Sequence, residues 1–161
     1  MNDSKALKIF AQGEREIVMV RAFDAPRNLV FDALTKPELL KRWLTGPPAW
    51  SLAVCEIDLR VGGNLRYVWH NNKTGVEMGM SGVFREIAAP ERLVHTEKFD
   101  DAWYPGEALI TSVLTEQAGR TTLTATMRYE SEEARDGVLK SPMESGVAAS
   151  YDKLAALLTE K

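Results

Sequence analysis

The sequence is poor in cysteine and histidine and contains no long apolar run. Its one cysteine, Cys55, excludes an internal disulfide framework and fits a reducing compartment. Its two histidines and Cys55 show none of the spacings typical of metal ligands, and no glycine-rich phosphate loop is present. No stretch approaches the roughly 18 apolar residues of a membrane helix, and residues 1–16 lack a signal-peptide pattern. We therefore expect a cytoplasmic protein with no metal, no cofactor and no membrane insertion.

An excess of basic residues is also missing. The formal net charge is -3 and the isoelectric point is about 5.5, whereas nucleic acids and anionic membranes require a basic face. We therefore expect no nucleic-acid partner. The length of 161 residues fits one domain with a full hydrophobic core. We expect an N-terminal arm over residues 1–15 and a single domain over residues 16–161.

The order of predicted elements indicates an α+β fold. A strand over residues 16–23 precedes two short helices, which begin near Pro26 and Pro37. The apolar period then changes to two, which is typical of strands. The six further predicted strands are 50–59, 64–70, 76–87, 92–99, 107–115 and 121–129. Residues 131–140 are compatible with a short helix before the last one. The sequence thus predicts a curved antiparallel sheet that a long C-terminal helix must cover.

The C-terminal segment, residues 141–161, predicts that helix. Ser141, Pro142 and Glu144 fit an N-cap, a first helical residue and a capping box. An apolar stripe at helical spacing follows. The side chains of residues 145–150 are small, whereas the second half of the segment supplies the large side chains Tyr151, Leu154, Leu157 and Leu158. We therefore expect the second half to pack tightly and the first half to leave room for a cavity between helix and sheet.

Several motifs resemble one known family. The matching segments are Arg21 to Pro26, Trp43, Asp58 to Gly63, Glu86 to Val94, Gly119 to Thr124, and Gly146 ahead of Leu154. Together they resemble the activator-of-Hsp90-ATPase homologue family of the START-like (SRPBCC) superfamily, over nearly the whole chain. The resemblance implies the helix-grip fold, in which a seven-stranded antiparallel sheet grips the C-terminal helix over a hydrophobic cavity. It supplies no catalytic residues.

A set of apolar and aromatic residues is predicted to face that interior. Flexible methionines and amphipathic aromatics opposite a small-residue helix are typical of an adaptable pocket. The candidates are Tyr67, Trp69, Met78, Met80, Phe84, Met127, Tyr129, Met143 and Val147. Core filling is the alternative role for each of them. Trp43 and Trp103 are expected at a pocket mouth or a subunit contact, since both uses favour aromatics.

His95 and Glu97 are two residues apart on one predicted strand and therefore share a face. If that face is interior, the pair is a candidate general acid and base, and His95 is a candidate ligand contact. If the face is exterior, the two are solvated strand residues. We favour the exterior position or a purely structural hydrogen bond. Cys55 lies in mid-strand and is interpreted as buried filler rather than a nucleophile.

Three hypotheses for function follow. The favoured one is a protein that binds a small apolar or amphipathic molecule between the sheet and the C-terminal helix, without an assigned reaction. The second, drawn from the resemblance, is an enzyme of the cyclase or hydrolase-like type that uses His95 and Glu97. The third is a stress-response or chaperone-related interaction module, with a homodimer as one possible assembly.

Overall fold

The computed structural model describes residues 6–101 and 106–160. Within these residues the chain forms eight strands and four helices. They are β1 (Lys8–Gln12), β2 (Glu16–Phe23), α1 (Arg27–Thr35), α2 (Pro37–Trp43), β3 (Trp50–Ile57), β4 (Asn64–Asn71), β5 (Glu77–Ala88), β6 (Arg92–Phe99), β7 (Ala108–Gln117), β8 (Arg120–Arg128), α3 (Glu132–Lys140) and α4 (Met143–Leu158).

All strands join one antiparallel sheet in the order β1-β2-β8-β7-β6-β5-β4-β3, and α4 packs across its concave face. The predicted α+β helix-grip architecture is confirmed. The sheet has eight strands rather than the predicted seven, because β1 pairs with β2 from Lys8↔Val20 to Gln12↔Glu16. Four of the five residues of β1 are exposed. A strand so exposed carries little apolar periodicity, which explains why the sequence did not indicate it.

Strands β5 and β6 approach each other closely at Gly82. A Cβ atom on Gly82 would lie 1.9 Å from the backbone oxygen of Thr96 and 3.3 Å from Cγ of Leu65. The pairing of β5 with β6 also shifts register between Phe84 and Glu86, as at a β-bulge. Glycine is therefore required at position 82 for this close backbone approach.

The core consists of two apolar clusters, and α4 contributes to both. The first cluster contains Leu154, which is fully buried, together with the inward side chains of β3 to β6. The second includes Ile110 and Met127, and Met143 and Val147 of α4 pack against it. Met143 and Val147 remain only partly buried.

The predicted capping box of the last helix is wrong. Ser141 is the C-cap of α3, and its backbone N–H donates to the oxygen of Val138 at 3.0 Å. Helix α4 begins at Met143, after Pro142, without a side-chain cap. The serine that caps a helix N-terminus is Ser131, whose Oγ accepts from the N–H of Ala134 at 3.0 Å. The prediction failed because α3 occupies the residues just before Ser141.

Two small residues of α4 lie close to a neighbouring loop. A Cβ atom on Gly146 would lie 3.5 Å from Cδ of Pro47, and Oγ of Ser150 accepts from the N–H of Gly46 at 2.9 Å. These two residues therefore admit the loop between α2 and β3 close to the helix. The small size of these two residues is therefore explained by the approach of this loop, and a cavity toward the sheet stays a prediction.

Two glycine substitutions test this description. Gly82→Ala is expected to destabilise the protein by about 1–3 kcal/mol or more, because its Cβ meets rigid backbone. Gly146→Ala is the matched control: its Cβ makes only ordinary contact with Pro47, and alanine favours helix by up to about 1 kcal/mol. Urea unfolding of both variants measures the difference. Equal free energies of unfolding for the two variants would contradict the close backbone approach at Gly82.

Candidate functional site

His95 and Glu97 lie on the concave face of the sheet. In the ladder His95 pairs with Phe84 on one side and with Ile110 on the other, and both partners are core residues. The imidazole ring lies 6.2 Å from the Phe84 ring in an edge-on contact. The favoured exterior position is therefore wrong. The alternative structural hydrogen bond is present, because Nε2 of His95 lies 3.0 Å from Oε2 of Glu97.

The pair is not fully enclosed, since the side chain of His95 is 13% exposed and that of Glu97 is 25% exposed. Nδ1 of His95 is itself buried and has no hydrogen-bond partner among the residues that the structure describes. A buried polar atom without a partner is costly in a folded protein. The inner face of β6 thus presents unused hydrogen-bonding capacity.

Glu97 contributes to a raised pKa at two tyrosines, one on the sheet and one on the final helix. Burial raises the pKa of Tyr67, on β4, and the negative charges of Cys55 and Glu97 raise it further. Burial also raises the pKa of Tyr151, on α4, to about 12, with Glu97 as the next cause. Both hydroxyls therefore stay protonated at neutral pH.

Aromatic rings form one wall beside this carboxylate. The rings of Trp69 and Phe99 stack with centroids 6.3 Å apart, and Tyr67 meets Trp69 edge-on at 5.7 Å. Nε1–H of Trp69 donates to the oxygen of Leu44 at 2.9 Å, which fixes the indole. Trp69 and Phe99 keep part of their surface exposed. We call the group comprising Tyr67, Trp69, His95, Glu97, Phe99 and Tyr151 the concave site.

Phe99 and Tyr151 were not among the sequence candidates. Phe99 shares the face of His95 and Glu97 by simple alternation along β6, so the signal was present. Tyr151 belongs to the apolar stripe of α4 and was expected only to pack. Its ring does pack, at 6.0 Å from Phe23 and 5.9 Å from Trp43, while its pKa responds to Glu97.

Trp43 does not lie at a mouth or at a subunit contact. It is 2% exposed, and its Nε1–H donates to the oxygen of Ala33 at 2.8 Å. This tryptophan is part of the core between α1, α2 and α4, and it offers no surface to a partner. Trp103, the other residue predicted there, lies outside the described residues.

The remaining candidates divide between core and rim. Those that are buried are Met80, Phe84, Met127 and Tyr129. Met143 and Val147 are partly buried on the first half of α4. Met78 pairs with Trp69 at the end of the sheet and is 45% exposed. Burial also raises the pKa of the Cys55 thiol to about 11, so this residue is a poor nucleophile.

Arg21 is a buried charge that the sequence analysis did not single out. It lies on the same face of β2 as the inward residues Met19 and Phe23, and it is 7% exposed. Its Nη1 donates to Oδ1 of Asp152 on α4 at 2.8 Å, and its guanidinium carbon lies 5.3 Å from the centroid of the Phe23 ring. The ion pair ties the final helix to the sheet.

A second concavity lies on the outer face of the sheet. This open groove has a volume of about 380 Å³ and is lined mainly by Val94, Thr96 and Leu109 with the charged Arg85, Glu107 and Glu130. Its charged groups already have partners, because Arg85 approaches Glu107 at 3.8 Å and Glu130 accepts from the Glu107 N–H at 2.8 Å. The concave site, by contrast, retains an unpartnered buried nitrogen.

Within residues 6–101 and 106–160, no three His, Cys, Asp or Glu side chains come together as metal ligands would. No helix of the described chain is both long enough and apolar enough to cross a membrane.

Comparisons with known proteins agree with the fold. The family model described as "Activator of Hsp90 ATPase homolog 1-like protein" matches residues 24–159. A Rhodobacter sphaeroides protein of known structure is similar, with 31% identity, a TM-score of 0.89, and coverage of 95% of this chain and 97% of that one. The protein NE0264 from Nitrosomonas europaea shows 28% identity and a TM-score of 0.80, with 92% of this chain and 96% of that one covered.

A more distant structure shares the fold alone. It is an AHSA1-like protein from Aeromonas hydrophila, with 18% identity, a TM-score of 0.72, and coverage of 91% of this chain and 96% of that one. No curated protein matches the sequence significantly.

The tyrosine assignments predict a distinct alkaline titration. Unfolded tyrosine loses its proton near pH 10.0, whereas folded Tyr151 holds it until about pH 12. Because the folded pKa is raised, this contribution to stability is fully present below pH 10 and is lost as pH rises toward 12. Absorbance at 295 nm should therefore show late ionisation that Tyr151→Phe removes in part. Titration of every tyrosine near pH 10 in the folded protein would contradict the site.

Proposed function

Because the chain belongs to the activator-of-Hsp90-ATPase-homologue-1-like family, with the helix-grip architecture of the START-like superfamily, we propose that it binds a small amphipathic molecule at the concave site. One observation carries this proposal. A hydrogen-bonded His95–Glu97 pair shares the concave face with aromatic rings, and these groups keep partial exposure although they lie between sheet and helix. Pockets for small molecules combine apolar walls with a few polar groups in this way.

The apolar part of the ligand would lie against Trp69 and Phe99, with Met143 and Val147 of α4 on the opposite side. Each of these four side chains has apolar surface left to bury. Burial of apolar surface contributes about 25 cal/mol per Å², so the affinity would come mainly from this contact. The indole of Trp69 is already fixed by its hydrogen bond to Leu44, which reduces the ordering cost on binding.

The polar part of the ligand would be oriented by the His95–Glu97 pair and the hydroxyls of Tyr67 and Tyr151. These groups are held by strands β4 and β6 and by α4, so they are set in place before a ligand arrives. A purely apolar ligand would leave Nδ1 of His95 unpaired, which favours an amphipathic one.

Binding of a neutral apolar probe tests this proposal. We expect 1-methylnaphthalene to bind, and Phe99→Ala to lower its affinity about tenfold, because an aromatic contact is lost. Phe10→Ala is the matched control: Phe10 is 46% exposed on β1, and its ladder partner is Val18 rather than a concave-face residue. Fluorescence titration measures each dissociation constant.

Circular dichroism should show that both phenylalanine variants keep the fold. Absence of probe binding to the unmodified protein would overturn the proposal. An equal loss of affinity in Phe99→Ala and Phe10→Ala would also overturn it, because it would place the probe elsewhere.

The His95–Glu97 hydrogen bond specifically favours a second candidate function, acid–base catalysis on the bound molecule. If Nε2–H donates to Glu97, Nδ1 of a neutral imidazole carries a lone pair and acts as the base. Glu97 would then hold the tautomer and would not itself transfer the proton.

The tautomer of His95 tests this second candidate. Nitrogen-15 NMR of histidine-labelled protein should show the proton of neutral His95 on Nε2, and Glu97→Gln should weaken that preference. Glu77→Gln is the control, because Glu77 contacts the other histidine, His70, at 3.3 Å. A proton resident on Nδ1 of His95 would exclude the proposed base.

A further inference from the structure

We propose that the concave site selects amphipathic molecules whose polar end is an organic cation, specifically a protonated amine. This inference rests on the proposed function and adds the chemical class of the ligand. It follows from the balance of charge on the concave face, from the hydrogen-bonding groups that remain unused, and from the position of the aromatic rings.

Glu97 has no lysine or arginine partner on the concave face. Arg21 on β2 and Glu97 on β6 are charged side chains of this face. Arg21 pairs with Asp152 at 2.8 Å, whereas the only ion-pair partner of Glu97 in the described chain is His95, at 3.0 Å. A cation brought to this partly exposed carboxylate would pair with it directly.

The carboxylate of Glu97 has hydrogen-bonding capacity left. Its Oε2 lies 3.0 Å from Nε2 of His95, and no described residue donates to its Oε1. A carboxylate oxygen accepts hydrogen bonds, so Oε1 requires a donor. A protonated primary amine offers three N–H donors on one centre, whereas a carboxylate or a phosphate offers none.

The aromatic wall favours the same ligand. Phe99 lies two residues from Glu97 on the same face of β6 and stacks on Trp69, and the face of an aromatic ring attracts a cation within about 6 Å of its centroid. The one polar group of Trp69, its Nε1–H, is already bonded to the oxygen of Leu44. The indole therefore has no donor to offer an anion, and it presents its negative π face instead.

Three probes with one apolar body test the inference. They are 1-naphthylmethylamine, which is cationic at pH 7, the neutral 1-methylnaphthalene, and the anionic 1-naphthoate. Titrations use the full chain, Glu97→Gln and the control Glu86→Gln. Glu86 is an exposed carboxylate paired with Arg92 on the outer face, so the control makes the same change of charge away from the site.

We expect the unmodified protein to bind the amine about tenfold more tightly than the neutral probe, since charge-assisted hydrogen bonds are formed. The anion should bind more weakly than both. Glu97→Gln should remove the preference for the amine over the neutral probe. Glu86→Gln should keep the preference.

The order of affinities in the unmodified protein decides the matter even if a variant fails to fold. Equal affinity for the amine and the neutral probe, or tighter binding of the anion, would overturn the inference and leave the proposed function standing. Failure of all three probes to bind would overturn the proposed function itself.

Discussion

The structure depends on one helix lying across one face of an antiparallel sheet. Helix α4 joins both apolar clusters, because Leu154 is completely buried in the first and Met143 and Val147 pack against the second. Tyr151 ties the helix to the core through ring contacts with Phe23 and Trp43. The concave site comprises side chains of β4, β6 and α4 on this face, most of which stay partly exposed.

Polar groups make this region more than an imperfectly packed core. A hydrophobic interior normally excludes a carboxylate and an imidazole, or pairs them fully. Here Glu97 and His95 pair with each other, but Nδ1 of His95 has no hydrogen-bond partner in the described chain. Glu97 also contributes to the raised pKa of Tyr67 and of Tyr151. Retaining such groups costs stability, and a ligand that satisfies them would offset part of that cost.

Much of the fold could be predicted from the sequence, because alternation and helical spacing report which side chains are buried. Strand β6 was placed correctly at Arg92–Phe99, and the inward residues of β8 follow the predicted alternation. The motifs of the family also indicated the helix-grip architecture correctly. Strand β1 was missed because a mostly exposed edge strand owes its existence to pairing with β2 and leaves little pattern of its own.

The site was harder to predict, because it depends on which element approaches which. The small residues of α4 looked like the floor of a cavity, but two of them make room for the loop at Gly46 and Pro47. Trp43 resembled an exposed anchor, but it is a core residue that bonds to Ala33. Local spacing places a side chain on a face of its own element and says nothing about the neighbour that will cover it.

The most direct test of the central claim is to locate a bound molecule by NMR. Amide and indole shifts of the folded protein would be recorded during addition of 1-methylnaphthalene. The account predicts that the changes concentrate on the Trp69 indole, on His95 to Phe99, and on the first two turns of α4. Changes confined to the outer groove around Val94 and Leu109, with the Trp69 indole and α4 unaffected, would contradict it.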